Sequence, residues 1–336
     1  MIEIDGSEGE GGGQVLRTSL ALSIVTGKPF RLFNIRAGRK SPGLKKQHLA
    51  CVRAAKQISN AEVRGDAIES QDLTFTPEGI YPGQYRFSVG SAGSAALVYQ
   101  TVLTPLMHAD APSFVMIEGG THAAWAPPFD FLQHTFTPLL ERMGAKTTLT
   151  AERLGFYPAG GGLLHARIQP WTEHRPLEIL ELMSTSLSAT AYISKLPAEV
   201  AQRELRKVKQ AFVLDDDALN TVEVRSLGPG NALCIYCHSA QVTEVVTAFG
   251  KRGVRAEDVA KAAIKEMLAY LEAGVPVGQH LADQLLLPMT LGAGGTFRTL
   301  EPTGHTRTNI ETIRRFSPVE ITAAEDDGAW KILVEV

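Results

Sequence analysis

His305 sits in the stretch EPTGHTRTN, beside Gly304, Thr306, Thr308 and Asn309. A neutral imidazole is a competent nucleophile near neutral pH and forms a labile phosphoramidate, provided its other ring nitrogen is oriented by a hydrogen bond. Partners for that bond stand upstream in HLADQ, where Asp283 and Gln284 follow His280, Leu281 and Ala282. In the bland alternative His305 is surface decoration on a loop and Asp283 and Gln284 face solvent. No lysine occurs in the K-x-D-G arrangement of lysine-based nucleotidyl transferases, so a covalent nucleotide would need another residue.

A second such stretch opens the chain. GSEGEGGGQVLR, Gly6 to Arg17, sets five glycines around Glu10 and runs into a helix from about Gln14. Glycines let backbone N–H groups approach a phosphate, a helix start adds unpaired donors and a positive dipole end, and Glu10 could bind Mg²⁺. The stretch is not a P-loop, and it misses G-x-G-x-x-G because Gln14 stands where the last glycine belongs. Downstream, IRAGRKSPGLKKQH packs Arg36, Arg39, Lys40, Lys45, Lys46 and His48 into thirteen positions. Arginine forks suit phosphate oxygens, which favours the loop residues Arg36 and Arg39, whereas Lys45 and Lys46 read as a solvated helix start.

These stretches belong to a pattern. A glycine-rich turn followed by an apolar helix occurs three times, in GEGGGQVLRTSLALSIVTG, VGSAGSAALVYQTVLTPLM and VGQHLADQLLLPMTLGAGG. Each is followed by a short strand with a polar, glycine-containing loop, then a helix (about 44–59, 128–144 and 307–316) and a closing strand. The third unit carries roughly 100 extra residues. Within them the pattern predicts a strand (187–194), a helix (198–213), two strands (219–226 and 231–239) and an amphipathic helix (255–273). The expected fold is therefore α/β (α+β): three repeated β/α units around a pseudo-threefold axis, spanning 1–180 and 276–336, with a small α/β domain inserted at 181–275. Glycine corners alone would be explained by packing. Three at corresponding places suggest loops gathered into one cleft.

Composition sets the outer limits. The 336 residues are 44% hydrophobic and 21% charged, ordinary for a globular chain of about two domains. The net charge of −3 excludes polyanion binding through global charge and leaves only local basic clusters. No run of ~18 apolar residues suits a membrane span. The start MIEIDGSEGE is unlike a signal or transit peptide, so the expected setting is cytoplasmic with no membrane partner. Cys51, Cys234 and Cys237 are too few for a disulfide framework. CIYCH matches a haem-attachment pattern formally, yet its context alternates like a strand, with Leu233, Ile235 and Cys237 on one face.

Taken in order, GEGGGQVLR, IRAGRKSPGL…QH, YRFSVGSAGS, APPFDF, GFYPAGGG, LADQ and the late GH..TN resemble RNA 3'-terminal phosphate cyclase nearly end to end. The resemblance implies a thioredoxin-like fold for the inserted domain. It also implies an enzyme that uses ATP and a divalent metal, Mg or Mn, to convert an RNA 3'-phosphate into a 2',3'-cyclic phosphodiester, forming AMP and diphosphate. His305 would be the catalytic residue that attacks the α-phosphorus of ATP and carries AMP, and Glu10 would bind metal. Gln100, Asp283 and Gln284, with His280, Leu281 and Ala282 around them, would form the ATP site. Pro127 and Phe131 would pack on adenine, and Arg17, Arg36, Arg39 and His48 would hold phosphates of ATP or the RNA. His280 departs from the tyrosine usual before LADQ, and Leu154 replaces a basic residue before GFYPAGGG. Two other readings remain: a non-catalytic cyclase-like ribosome-assembly factor, a branch lacking the histidine, and a small-molecule transferase of similar repeat architecture.

Overall fold

The computed structural model describes residues 1–90 and 92–336; Ser91 of the second glycine-rich turn lies outside the described residues. Three of the four sheets share one strand order. In the first, Ile2–Asp5 pairs in parallel with Phe30–Phe33, which runs antiparallel to Leu73–Thr76, itself antiparallel to Glu62–Arg64. The same sequence of orientations joins Gln84–Ser88, Ser113–Gly119, Gly162–Ile168 and Thr147–Arg153. It appears again in Leu177–Ile179, Gly295–Thr299, Ala329–Glu335 and Glu320–Asp326.

Parallel neighbours cannot be joined by a tight turn, so each pair needs a crossover, and the helices supply it. Gly13–Thr26 crosses the first sheet and Ala95–Met107 the second. Gly13–Thr26 is buried along most of its length, from Gln14 to Ile24 with Arg17 partly open, and stops at Gly27, whose φ of +68° a side chain would resist. The third crossover runs from Leu177–Ile179 through the fourth sheet before reaching the helix Gln279–Leu291.

That fourth sheet orders Leu219–Glu223, Ser186–Ser194, Gly230–His238 and Thr243–Phe249. Of its two central strands, Gly230–His238 is buried on both faces. Leu233, Ile235 and Cys237 pack on the helices Ala198–Phe212 and Ala256–Ala273, whereas Cys234 and Tyr236 join the main core. The two cysteines of CIYCH thus point to opposite faces while His238 is exposed, so they cannot share a haem. The strand Thr243–Phe249 occupies a stretch for which the repeat and insertion pattern predicts no element, although TEVVTAF is rich in strand formers.

The helix expected over 128–144 is observed in three parts: an α-turn at Phe129–Phe131, a π-helical stretch at Leu132–Phe136 and an α-helix at Thr137–Arg142. Among the described residues no helix is long and apolar enough to cross a membrane.

Candidate active site

His305 is not on a loop. The helix predicted to start at 307 begins at Gly304, which puts His305 in its first turn. The cause is local: the Thr303 hydroxyl accepts the N–H of Thr306 at 3.2 Å, an N-cap that sets the start before the histidine.

Both faces of the imidazole are engaged. Nδ1 lies 2.7 Å from Oε1 of Gln14, in the first turn of the opening helix. Gln14 is buried, and its Nε2 donates to Oδ1 of Asp283. A carboxylate oxygen accepts from the amide nitrogen, so the amide oxygen must face His305, and that oxygen can only accept. Nδ1 therefore carries a proton, and in the neutral ring the lone pair is on Nε2. Nε2 stands 3.5 Å from Oε2 of Glu10. The expected orienting residue Asp283 thus reaches His305 through Gln14. Burial raises the Asp283 carboxyl, against the Gln14 hydrogen bond and the Arg17 charge that lower it. Gln284 donates to the other Asp283 oxygen at 2.9 Å and accepts from Gln100.

The glycines of the opening loop permit close approach. Gly9 adopts φ +59°, and a Cβ there would meet Oγ1 of Thr308 at 2.3 Å, the hydroxyl that accepts the Glu10 N–H at 3.1 Å. A Cβ on Gly13 would come within 2.5 Å of His48 Nε2 and 2.9 Å of an Arg17 nitrogen. At these two positions the loop is bare because Thr308, and His48 with Arg17, fill the space its own side chains would take.

Arg17 and His48 belong to a basic cluster with Arg36 and Arg39. Arg39 donates to the Glu10 carbonyl at 2.8 Å and to its carboxylate at 3.2 Å. Arg36, at a left-handed φ of +55°, spends one nitrogen on the carbonyls of Ser41 and Gly43. The Lys45 N–H donates to His48 Nδ1 at 3.0 Å. Burial, then the charges of Arg17, Arg36 and Lys45, push His48 down to about 3. The ring is neutral, with its proton on Nε2, where it can donate toward an anion. Burial also lowers Arg17, and burial with the Arg39 charge lowers Arg36, so the cluster is a partly dehydrated cationic site suited to a phosphate.

All these groups open onto one cleft of about 900 Å³. It gathers Glu10, Arg17, Arg36, Arg39, His48, Gln100, Pro127, Phe131, His280, Asp283, Gln284 and His305 from distant segments. Leu281 and Ala282 are not among its walls; both are buried in the main core, on the other side of their helix. The Glu266 carboxylate 3.6 Å from His280 holds that imidazole above its ordinary range, against the effect of burial.

The apolar wall contains residues that motif reasoning missed. Val245, Thr247 and Phe249 of the fourth sheet line the cleft beside Phe131 and Phe136. In an α-helix two residues five apart diverge by about 140°, and the π-helical widening is what lets both phenylalanines face the same space. Between these walls Asp130 is buried and clamped. It meets His122 Nε2 at 2.8 Å, and its other oxygen accepts from Tyr192 at 2.7 Å and Tyr236 at 2.5 Å. Burial would raise this carboxyl, but the bonds from His122, Tyr236 and Tyr192 hold it at about 2.

Chemically, the cleft offers an oriented imidazole, a carboxylate beside it, a basic cluster suited to phosphate and an apolar slot. A family model described as RNA 3'-terminal phosphate cyclase matches residues 8–323. A protein named RNA 3'-terminal phosphate cyclase from Koribacter versatilis is 48% identical over 334 residues, covering 99% of this chain and 94% of its own. One of the same name from Ectopseudomonas mendocina is 46% identical, covering 96% and 95%. Another, from Salmonella enteritidis, is 43% identical, covering 99% and 98%.

Proposed function

The chain belongs to the RNA 3'-terminal phosphate cyclase family, and on that premise we propose that it is an ATP-dependent enzyme that closes an RNA 3'-phosphate into a 2',3'-cyclic phosphodiester through a histidyl–AMP intermediate. The observation that carries the mechanism is the Asp283–Gln14–His305 chain, which assigns Nδ1 a proton and so leaves Nε2 of the neutral ring as the attacking nitrogen.

Nε2 attacks the α-phosphorus of ATP; a P–N bond forms, the P–O bond to the departing diphosphate breaks, and Nδ1 keeps its proton against Gln14. An oxygen of the RNA 3'-phosphate then attacks the AMP phosphorus, the P–N bond breaks, and neutral His305 is restored. The neighbouring 2'-hydroxyl attacks the activated 3'-phosphorus, loses its proton and expels AMP. Activation is needed because a phosphate monoester lacks a good leaving group, and ring closure is helped by the hydroxyl being held on the same ribose.

Arg17, Arg36, Arg39 and the Nε2–H of His48 would bind phosphate oxygens, and the slot of Pro127 and Phe131 with Gln100, Asp283 and Gln284 would hold the adenosine. A divalent metal fits at Glu10: a single carboxylate completed by substrate phosphates suits Mg²⁺ or Mn²⁺, which would supply charge neutralisation there. The common strand order of three sheets supports reading them as repeated units, and the separate core of the fourth supports an inserted domain over 181–275.

The test is incubation with ATP labelled at the α-phosphate. Wild type is expected to acquire acid-labile, base-stable label and to cyclise an RNA 3'-phosphate but not a 3'-hydroxyl end. An unlabelled wild type, or full labelling of His305→Ala, would overturn the histidyl intermediate. Labelling with no 3'-phosphate acceptor would overturn the substrate.

A further inference from the structure

Trp125 is the most exposed large apolar side chain among the described residues, at 99% accessibility. It also stands at φ +68°, a left-handed conformation that bulky residues rarely adopt. An indole in water forgoes the burial that large aromatics normally gain. Trp171, by contrast, is buried, and Trp330 carries the Arg307 guanidinium 5.4 Å over its ring.

The loop holds this side chain out. At its base the Phe129 N–H donates to the Thr121 carbonyl at 3.0 Å, and His122 meets Asp130 at 2.8 Å. Pro127 and Pro128 stiffen the descending arm. The same segment gives Ala124, Ala126, Pro127 and Pro128 to the cleft wall, so Trp125, lining the cleft yet fully exposed, stands at its mouth.

We propose that Trp125 is a stacking platform for a nucleobase near the 3' end of the RNA whose terminal phosphate enters the cleft. This rests on the function proposed above. A polynucleotide with its last phosphate on the arginine cluster must leave through the mouth, and every base along it presents a π-face. The neighbours Ala123, Ala124, Ala126 and Pro127 have no polar side-chain atoms to read a base edge, so the contact is tolerant of base identity. The adenine of ATP has the slot of Pro127 and Phe131 and does not require a fully exposed ring.

The experiment compares two steps in the intact enzyme: self-adenylylation by ATP alone, and cyclisation of a short oligoribonucleotide 3'-phosphate. Trp125→Ala is expected to raise KM for the oligonucleotide about 10-fold or more beyond any change in the ATP-only step. Trp125→Phe should restore most of the loss and Trp125→Leu should not, because the contact needs a π-face. An abasic site moved through the last few nucleotides should raise KM for wild type at one position and have no further effect there in Trp125→Ala. An unchanged RNA KM, an equal loss in the ATP-only step, or additive losses at every abasic position would each overturn the platform. Absence of self-adenylylation in wild type would instead refute the function on which it rests.

Discussion

Gln14 and His305 lie 291 positions apart in the chain, yet the amide oxygen of one is 2.7 Å from the imidazole Nδ1 of the other. The bond sets the tautomer of the histidine, and Asp283 sets the orientation of the amide. The proposed nucleophile is thus oriented by Gln14 directly and by Asp283 through Gln14.

Asp283→Asn tests that chain directly. Without a fixed acceptor the Gln14 amide can reverse and offer N–H to Nδ1, which moves the ring proton to Nε2. Adenylylation is expected to fall on the order of 10²-fold, as expected when the proton of a catalytic group is misplaced. Nitrogen NMR of His305 should show the altered tautomer; an unaltered tautomer with the same loss would move Asp283 to ATP binding alone.

His48 is expected to remain neutral well into acid. Its folded value of about 3 lies below its reference of 6.5, so between these limits the unfolded chain binds a proton that the folded chain refuses. The stability it contributes is complete above about 6.5 and is lost as pH falls toward 3. His48→Gln should flatten that part of the stability curve in denaturant titrations, and the wild-type ring should show the Nε2–H tautomer at pH 5. A ring that titrates near 6.5 would contradict the cluster as described.

Gly13→Ala should injure the phosphate-binding cluster. A Cβ there lies 2.5 Å from His48 Nε2, and that ring is anchored through Lys45, so it cannot simply swing away. Overpacking of this kind costs about 1–3 kcal/mol, more than alanine gains in a helix. KM for ATP or for the RNA 3'-phosphate is expected to rise roughly 10-fold, the equivalent of about 1.4 kcal/mol. If neither moves, Arg17 and His48 hold no substrate phosphate.

Asp130→Ala should be the most destabilising of these changes. It leaves the hydroxyls of Tyr192 and Tyr236 and the His122 ring without their shared acceptor. Breaking a buried charged network costs about 3–5 kcal/mol, whereas Tyr236→Phe, removing one donor, should cost about 1 kcal/mol. Urea unfolding midpoints separate the two; equal effects would mean that Tyr236 alone secures the carboxylate.

Much of the site was legible in the chain because glycines, arginines and histidine advertise their chemistry by type. Glu10, Arg39, His48 and His305 do meet in one cleft. Gln14 was hidden because a glutamine at a helix start has no signature until its partners are known. Phe136 and Phe249 were hidden for another reason: as apolar residues in ordinary patterns they read as core, and only the π-helical stretch and the placement of the fourth sheet turn them to the cleft. The apolar pattern starts the late helix three residues after its observed start at Gly304, because the Thr303 cap carries no periodic signal, and only the observed start puts His305 on a helix.

The distance in sequence between Gln14 and His305 bears on how the protein is made. A ribosome working from the amino end produces the glycine loop and the arginine cluster early, but His305 only 291 residues after Gln14. A chain stalled before Gly304 emerges has most of the surface that would receive a nucleotide and nothing with which to bond it. On the proposed mechanism, a copy cut short there cannot join AMP to itself.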